Sequence, residues 1–377
     1  MNLNYKIILN LFVSVFAILQ IDLYASSNII NQLEIEEGFN VEIFVKNIDT
    51  PRQMAESDDG NIFVGSRSGG TISAIDRNKN VRIIAKDLSN STGVTYHDGD
   101  LYFSEVNSIW KISDIDNVLK NKEEFPQKEL VTNNLPSDTW HGWKWIGFGP
   151  DKKLYVPVGA PCNICNPSLE KEYGFDKRYA SIMRLNNGAW EFVARGVRNT
   201  VGFDWHPITK ELWFTDNGRD MMGDNLPADE LNRASEMGMH FGFPYCHQGD
   251  ISDPEHGKGK SCASYEKPAQ KLKPHTAALG ALFYTGDMFP AKYKNQLFIA
   301  EHGSWNRSTK IGYCVSLVKI DDDNRNVLSY EDFATGWLDE NKKDVYGRPV
   351  SLLQLKDGSV LVSDDYSDVI YRIVYEK

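Results

Sequence analysis

The stretch "TWHGWKW" sets one histidine, His141, between Trp140 and Trp143. A neutral imidazole, with an unperturbed pKa of about 6.5, accepts a proton well near neutral pH. On residue type alone, the plainer reading is a packed histidine between two indoles. Arginines follow in two phrases: "RGVRNTVGFDWHP", with Arg198 and Asn199, and "YGRPVSLLQLKDG", with Arg348. Guanidinium forks match carboxylates bidentately, although each arginine alone would read as a surface or inter-blade ion pair. The run "DNGRDMMGDNLPADELN" carries Asp216, Asp220, Asp224, Asp229 and Glu230. A loop of acids and carbonyls suits calcium, which takes oxygen ligands in irregular geometry. The same acids also suit a solvated loop with a helix N-terminus inside it. "EHGSWNRS", with His302 and Trp305, fits either substrate contact or packing, and His206 in "DWHPITK" reads as a turn residue.

These clusters lie just before or just after a phrase that recurs six times: a turn, three apolar residues, then a small or polar break. The copies are "DDGNIFVGS", "HDGDLYFSE", "GPDKKLYVPVG", "HPITKELWFTD", "KYKNQLFIAE" and "LKDGSVLVSDD", centred on Phe63, Tyr102, Tyr155, Trp213, Phe298 and Leu361. Each predicts the inner hairpin of a sheet. Repeats of strands and turns at this spacing point to propeller blades, because radial stacking covers both faces of each sheet. The chain therefore reads as an all-β, six-bladed β-propeller with loop insertions, chiefly between the fourth and fifth copies. There, "PADELNRASEMG" has helical character. Two β-sandwiches would explain many strands but not six similar phrases.

The 377 residues carry a net charge of −11, a poor basis for binding nucleic acid. Residues 1–25 read as a secretory signal: Lys6 precedes a mostly apolar run from Ile7 to Ile21, and Ala25 offers a small residue for cleavage. The rival is an uncleaved anchor, but the run falls short of the roughly 20 residues that span a bilayer. No span is expected after cleavage. Residues 26–377 are then one propeller domain, periplasmic or secreted. In that oxidising setting Cys162 and Cys165 could close one tight loop and Cys246 and Cys262 a second, leaving Cys314 over, and the sequence does not fix the pairing. "CNICN" lacks the histidine that haem attachment needs.

Together the phrases "PRQMAESDDGNIFVGSRSGG", "HGWKWIGFGPDKKLYVPVGAPCNIC", "RGVRN", "PADELN", "FGFPYCHQGD", "LFIAEHGSWNRSTKIGY" and "GRPVSLLQLKDGSVLVSDDY" resemble the glucose/sorbosone dehydrogenase family, in particular its sorbosone-dehydrogenase-like members. These are soluble six-bladed propellers that use pyrroloquinoline quinone (PQQ). The resemblance implies a sugar dehydrogenase with PQQ and Ca²⁺ as cofactors. It implies His141 as general base, Arg198 and Asn199 beside the quinone, and Arg348 on a cofactor carboxylate. It puts the cofactor calcium on backbone carbonyls at Gly218 and Arg219, with a structural calcium at Asp229 and Glu230. It also implies a separate electron acceptor, a cytochrome or the quinone pool. Trp140 stands where the glucose-oxidising branch has an acid, and Pro161 falls near its sugar-contacting glutamine, so the sugar-contacting set differs and the resemblance does not carry glucose over as the substrate. Rival functions on the same fold are a calcium-dependent lactonase or esterase, and a non-catalytic binding propeller.

Overall fold

The computed structural model describes residues 29–121, 125–166 and 176–376. The signal reading over residues 1–25 lies outside them. Among the described residues no helix is long and apolar enough to cross a membrane.

Six antiparallel sheets form the blades of a propeller. Blade 1 is Pro51–Glu56, Ile62–Ser66, Ile72–Ile75 and Val81–Ala85. Blade 2 is Val94–His97, Asp100–Ser104, Ile109–Ile112 and Glu129–Thr132. Blade 3 is Gly147–Phe148, Leu154–Val158, Ser181–Asn186 and Ala189–Arg195, extended by Met239–His240 in parallel. Blade 4 is Phe203–Trp205, Leu212–Asp216, Glu230–Ala234 and Gln270–Lys271. Blade 5 is Ala278–Phe283, Leu297–Glu301, Cys314–Ile320 and Val327–Thr335, edged by Glu34–Ile35. Blade 6 is Pro349–Gln354, Val360–Asp364 and Val369–Tyr375, and its outer strand, Phe39–Lys46, comes from the other end of the chain.

Every recurring phrase is the second strand of its blade, and the pleat explains its composition. Successive side chains in a strand face opposite ways. The central residue points into the seam with the next blade: Phe63 is buried in one cluster with Phe103 across blades 1 and 2, Trp213 meets Phe283 edge-on across blades 4 and 5, and Leu361 is buried in one cluster with Val64 across blades 6 and 1. Its two neighbours point into the preceding seam, as Leu212 and Phe214 do with blade 3. Three apolar residues in a row are needed because both faces are buried. The small or polar break after them is where the next blade's first strand passes close. A Cβ on Gly65 would sit 2.3 Å from the Thr92 carbonyl. At the same place Thr215 donates to the Leu279 carbonyl (2.7 Å) and Ser363 to the Arg52 carbonyl (2.8 Å).

Gln53 ties three blades together. Its amide donates to the Ile146 carbonyl (2.7 Å) and accepts from the backbone N–H of Ile146 (3.0 Å) and Val94 (3.2 Å), all buried. Gln53→Leu strands two donors and one acceptor, and should lower stability by about 3 kcal/mol. The denaturant midpoint measures this; a shift worth under about 1 kcal/mol would mean that water takes over the amide's role.

The helical reading of "PADELNRASEMG" is corrected. Glu230–Ala234 is the third strand of blade 4, paired residue for residue with Leu212–Asp216. Burial of Leu231 in the seam with blade 5 overrides local helix preference. The insertion expected between the fourth and fifth copies lies here, between the third and fourth strands of blade 4. It carries the hairpin Cys246–His247 and Ile251–Ser252. The disulfides are Cys162–Cys165 and Cys246–Cys262, and Cys314 is free and buried.

Candidate active site

The loops before the first strands and after the second strands gather at one end of the ring, around a cavity of about 310 Å³. Of the residues singled out in the sequence, His141, Arg198, Asn199, Gly218, Asp229 and Arg348 line it, and so do His302 and Trp305. Arg52, Arg67, Trp143, Asn217, Asp220 and His275 complete much of the wall.

His141 sits at φ +51° in a tight turn, where Asp138 accepts the Trp140 N–H (2.8 Å). Its Nδ1 lies 2.7 Å from the Ala160 carbonyl. A carbonyl only accepts, so Nδ1 carries the proton and Nε2 keeps its lone pair. Burial, and after it the charge of Arg198, holds the imidazole well below its ordinary pKa. Ala160 also donates its N–H to the Arg198 carbonyl (2.8 Å), so the backbone of one residue positions both. Gly159 makes room: a Cβ there would lie 2.6 Å from that of His141.

The arginines are set by acids at the ends of the second strands. Asp216 accepts the backbone N–H of Arg198 (2.8 Å) and Asn199 (2.6 Å), and Asp364 accepts that of Arg348 (2.8 Å). The Arg198 guanidinium is buried and held by Asn163, the Asn217 carbonyl and Asp220 (3.1 Å). Arg348 donates to the His302 and Gly303 carbonyls and lies over the Tyr313 ring. Asn199's side-chain amide has no hydrogen-bond partner among the described residues, and neither has the buried Arg52 Nε. Asp365 anchors the far wall: it accepts from Arg52 (2.8 Å) and from His302 Nε2 (2.6 Å). Burial pulls His302 down to about 4, so it stands neutral and donates to Asp365.

The acidic run is parted. Asp229 faces the cavity wall, accepting from the N–H of Gly218 (2.8 Å) and Ala277 (2.8 Å). Glu230 faces the other way and accepts from the Gln248 N–H (2.6 Å) and Asn232. Burial raises Asp216 to about 7, Asp229 to about 6 and Glu230 to about 8, the last also through the charge of Asp216. Arg219 sends its side chain away to Asp253 and Glu255. The carbonyl oxygens of Gly218 and Arg219 accept no hydrogen bond among the described residues. His206 is the turn residue expected, its Nδ1 accepting from the N–H of Ile208 and Thr209.

Arg52, Arg67, Asp365 and His275 escaped the sequence reading, and Trp143 entered it only as an indole beside His141. The repeat held the signal for most of them. Arg52 precedes the first copy as Arg198 and Arg348 precede theirs, Arg67 follows its copy as His302 does, and Asp365 is the last residue of the sixth copy. His275 carried no such cue.

Several known proteins are similar to this chain. A protein of Borreliella burgdorferi, itself uncharacterised, is 38% identical over 365 residues, 94% of this chain and 93% of that protein. A pyrroloquinoline quinone-dependent pyranose dehydrogenase of Coprinopsis cinerea is 24% identical over 91% of this chain, which spans only 54% of that enzyme's length. The holo form of the same organism's pyranose dehydrogenase PQQ domain superposes with a TM-score of 0.75 at 20% identity, covering 91% of this chain and 97% of that one. The calcium structure of a Trichoderma reesei carbohydrate-active enzyme of family AA12 gives 0.77 at 17%, covering 91% and 97%. The two superpositions share the propeller fold. A family model described as TrAA12-like matches residues 33–376, and the chain belongs to that family.

Proposed function

We propose that the protein is a PQQ- and Ca²⁺-dependent oxidoreductase of a sugar alcohol, hemiacetal or aldehyde group, with His141 as general base. The observation that carries the reading is the cavity itself: four arginines and one imidazole with a free Nε2 face a single space. Four guanidinium groups, one with an unpartnered buried Nε, fit a planar guest bearing three carboxylates. The printed name of the Coprinopsis relative supports the same cofactor.

When bound, the quinone would supply the hydride acceptor and calcium a Lewis acid. Arg52, Arg67 and Arg348 would hold carboxylates, and the Asn199 amide an oxygen of the same guest. Gly218 and Arg219 would offer their unpartnered carbonyls to calcium, a donor set that suits a hard cation. Asp229 and Glu230 fit no ion in common, because each already serves backbone N–H groups on its own side of the strand. His141 Nε2 takes the proton of the substrate hydroxyl while Ala160 holds Nδ1–H in place. Arg198 stays charged although burial lowers its pKa, and so favours negative charge growing beside it. A calcium-dependent hydrolase would instead gather free carboxylates at the channel, whereas Asp220 and Asp229 are both engaged.

We assign the mature chain to the periplasm or exterior, with a sugar as substrate and a separate cytochrome or quinone as acceptor. The test is reconstitution with PQQ and Ca²⁺, followed by the visible spectrum before and after a panel of sugars. Expected are a sugar-dependent spectral change and reduction of a dye that needs both additions. An unchanged spectrum with every sugar defeats the redox reading.

A further inference from the structure

Three imidazoles line the redox cavity: His141, His275 and His302. The proposed chemistry uses His141, and His302 belongs to the arginine wall through Asp365. His275 is left over. It sits between the last strand of blade 4, Gln270–Lys271, and the first of blade 5, Ala278–Phe283, so it reaches the cavity from a different side of the ring than His141.

The Nε2 of His275 lies 2.9 Å from the Gly223 carbonyl and 2.9 Å from the Leu226 carbonyl. Carbonyls only accept, so Nε2 carries a proton, and with one proton on the ring Nδ1 keeps its lone pair. Nδ1 has no hydrogen-bond partner among the described residues and, unlike Arg52 Nε, is not sealed inside the protein. The ring is held from both ends. Arg307 and Ser308 pin the Gly223–Leu226 loop through Asp224, Ser308 by its N–H (3.1 Å). Asp229 pins the His275 segment through the Ala277 N–H (2.8 Å) and the Thr276 hydroxyl (3.3 Å). Left-handed backbone at His275 (φ +63°) and Ala277 (φ +52°) is a costly conformation that these contacts hold. The four arginines of the cavity can only donate, whereas this wall offers a fixed acceptor, which suits a hydroxyl. Asp220 and Asp229 already serve other donors.

We propose that His275 Nδ1 accepts a second hydroxyl of the substrate, apart from the one that His141 deprotonates, and so selects polyhydroxy compounds over simple alcohols. The proposal rests on the oxidoreductase reading for what enters the cavity.

Steady-state kinetics of protein loaded with PQQ and Ca²⁺ tests it, with D-glucose, D-galactose, D-mannose, D-xylose and the monodeoxy analogues of the best of them. In wild type, loss of one particular hydroxyl should lower kcat/KM about tenfold or more. His275→Gln keeps an N–H for the two carbonyls but removes the ring Nδ1. In it that discrimination should vanish, with KM for the parent sugar up about tenfold and kcat little changed. A merely structural loss would penalise every analogue alike, and thermal unfolding reports whether the variant is folded. A second readout needs no turnover. In ¹⁵N-histidine-labelled protein, the Nδ1 resonance that His275→Gln removes should move when these sugars are added. If wild type oxidises none of them, the redox reading fails while the resonance still decides for His275. Discrimination unchanged in His275→Gln, or an Nδ1 resonance that none of the four sugars moves, would overturn the proposal.

Discussion

His141→Ala should lower the turnover of reconstituted protein by about 10²- to 10⁴-fold and leave cofactor uptake intact. Its Nε2 lone pair is fixed in direction, because the Ala160 carbonyl holds the opposite ring nitrogen. The arginines that would hold the cofactor keep their partners without it. The pH profile adds a second readout. Burial and Arg198 disfavour the imidazolium, so protonation needs a pH below the usual value. The wild-type rate should pass through about 6.5 without an inflection and fall only at lower pH. Equal turnover in His141→Ala and wild type would remove the residue from the chemistry.

Arg52→Ala should destabilise the fold by about 3–5 kcal/mol. It strips the Asp365 carboxylate of its strongest partner. Asp365 is buried, and burial also lowers Arg52 to about 10, although Asp365 opposes this. What remains is neutral His302 and the more distant Arg67 at 3.5 Å. Arg52→Ala combined with Asp365→Asn removes both charges and should recover part of the loss, so the double-mutant cycle by denaturant unfolding reads a large coupling. A single variant no less stable than the double would show that water or Arg67 replaces the pair.

Much of this was legible in the chain because a propeller repeats its physics. Phe63, Tyr102, Tyr155, Trp213, Phe298 and Leu361 each fill a seam, and no other pattern puts three apolar residues before a small one so regularly. The cavity followed where residues sat beside a copy, as His141, Arg198 and Arg348 do. Asp365 and Arg52 were harder, since their meaning lies in contact between blades 6 and 1, a proximity that only ring closure creates. The strand at Glu230–Ala234 was misread for a related reason. Its partners, Leu212–Asp216 and the wall of blade 5, are distant cues that helix preference does not record.

Blade 6 draws Phe39–Lys46 alongside Val369–Tyr375. During synthesis the earlier segment emerges long before its neighbour exists, and for that interval it is an unmatched edge. The last sheet cannot pair its outer strand until the final strand is present, so that seam closes last. A clip that releases either segment would open the whole circle, and with it the wall that Arg348 and Asp365 share.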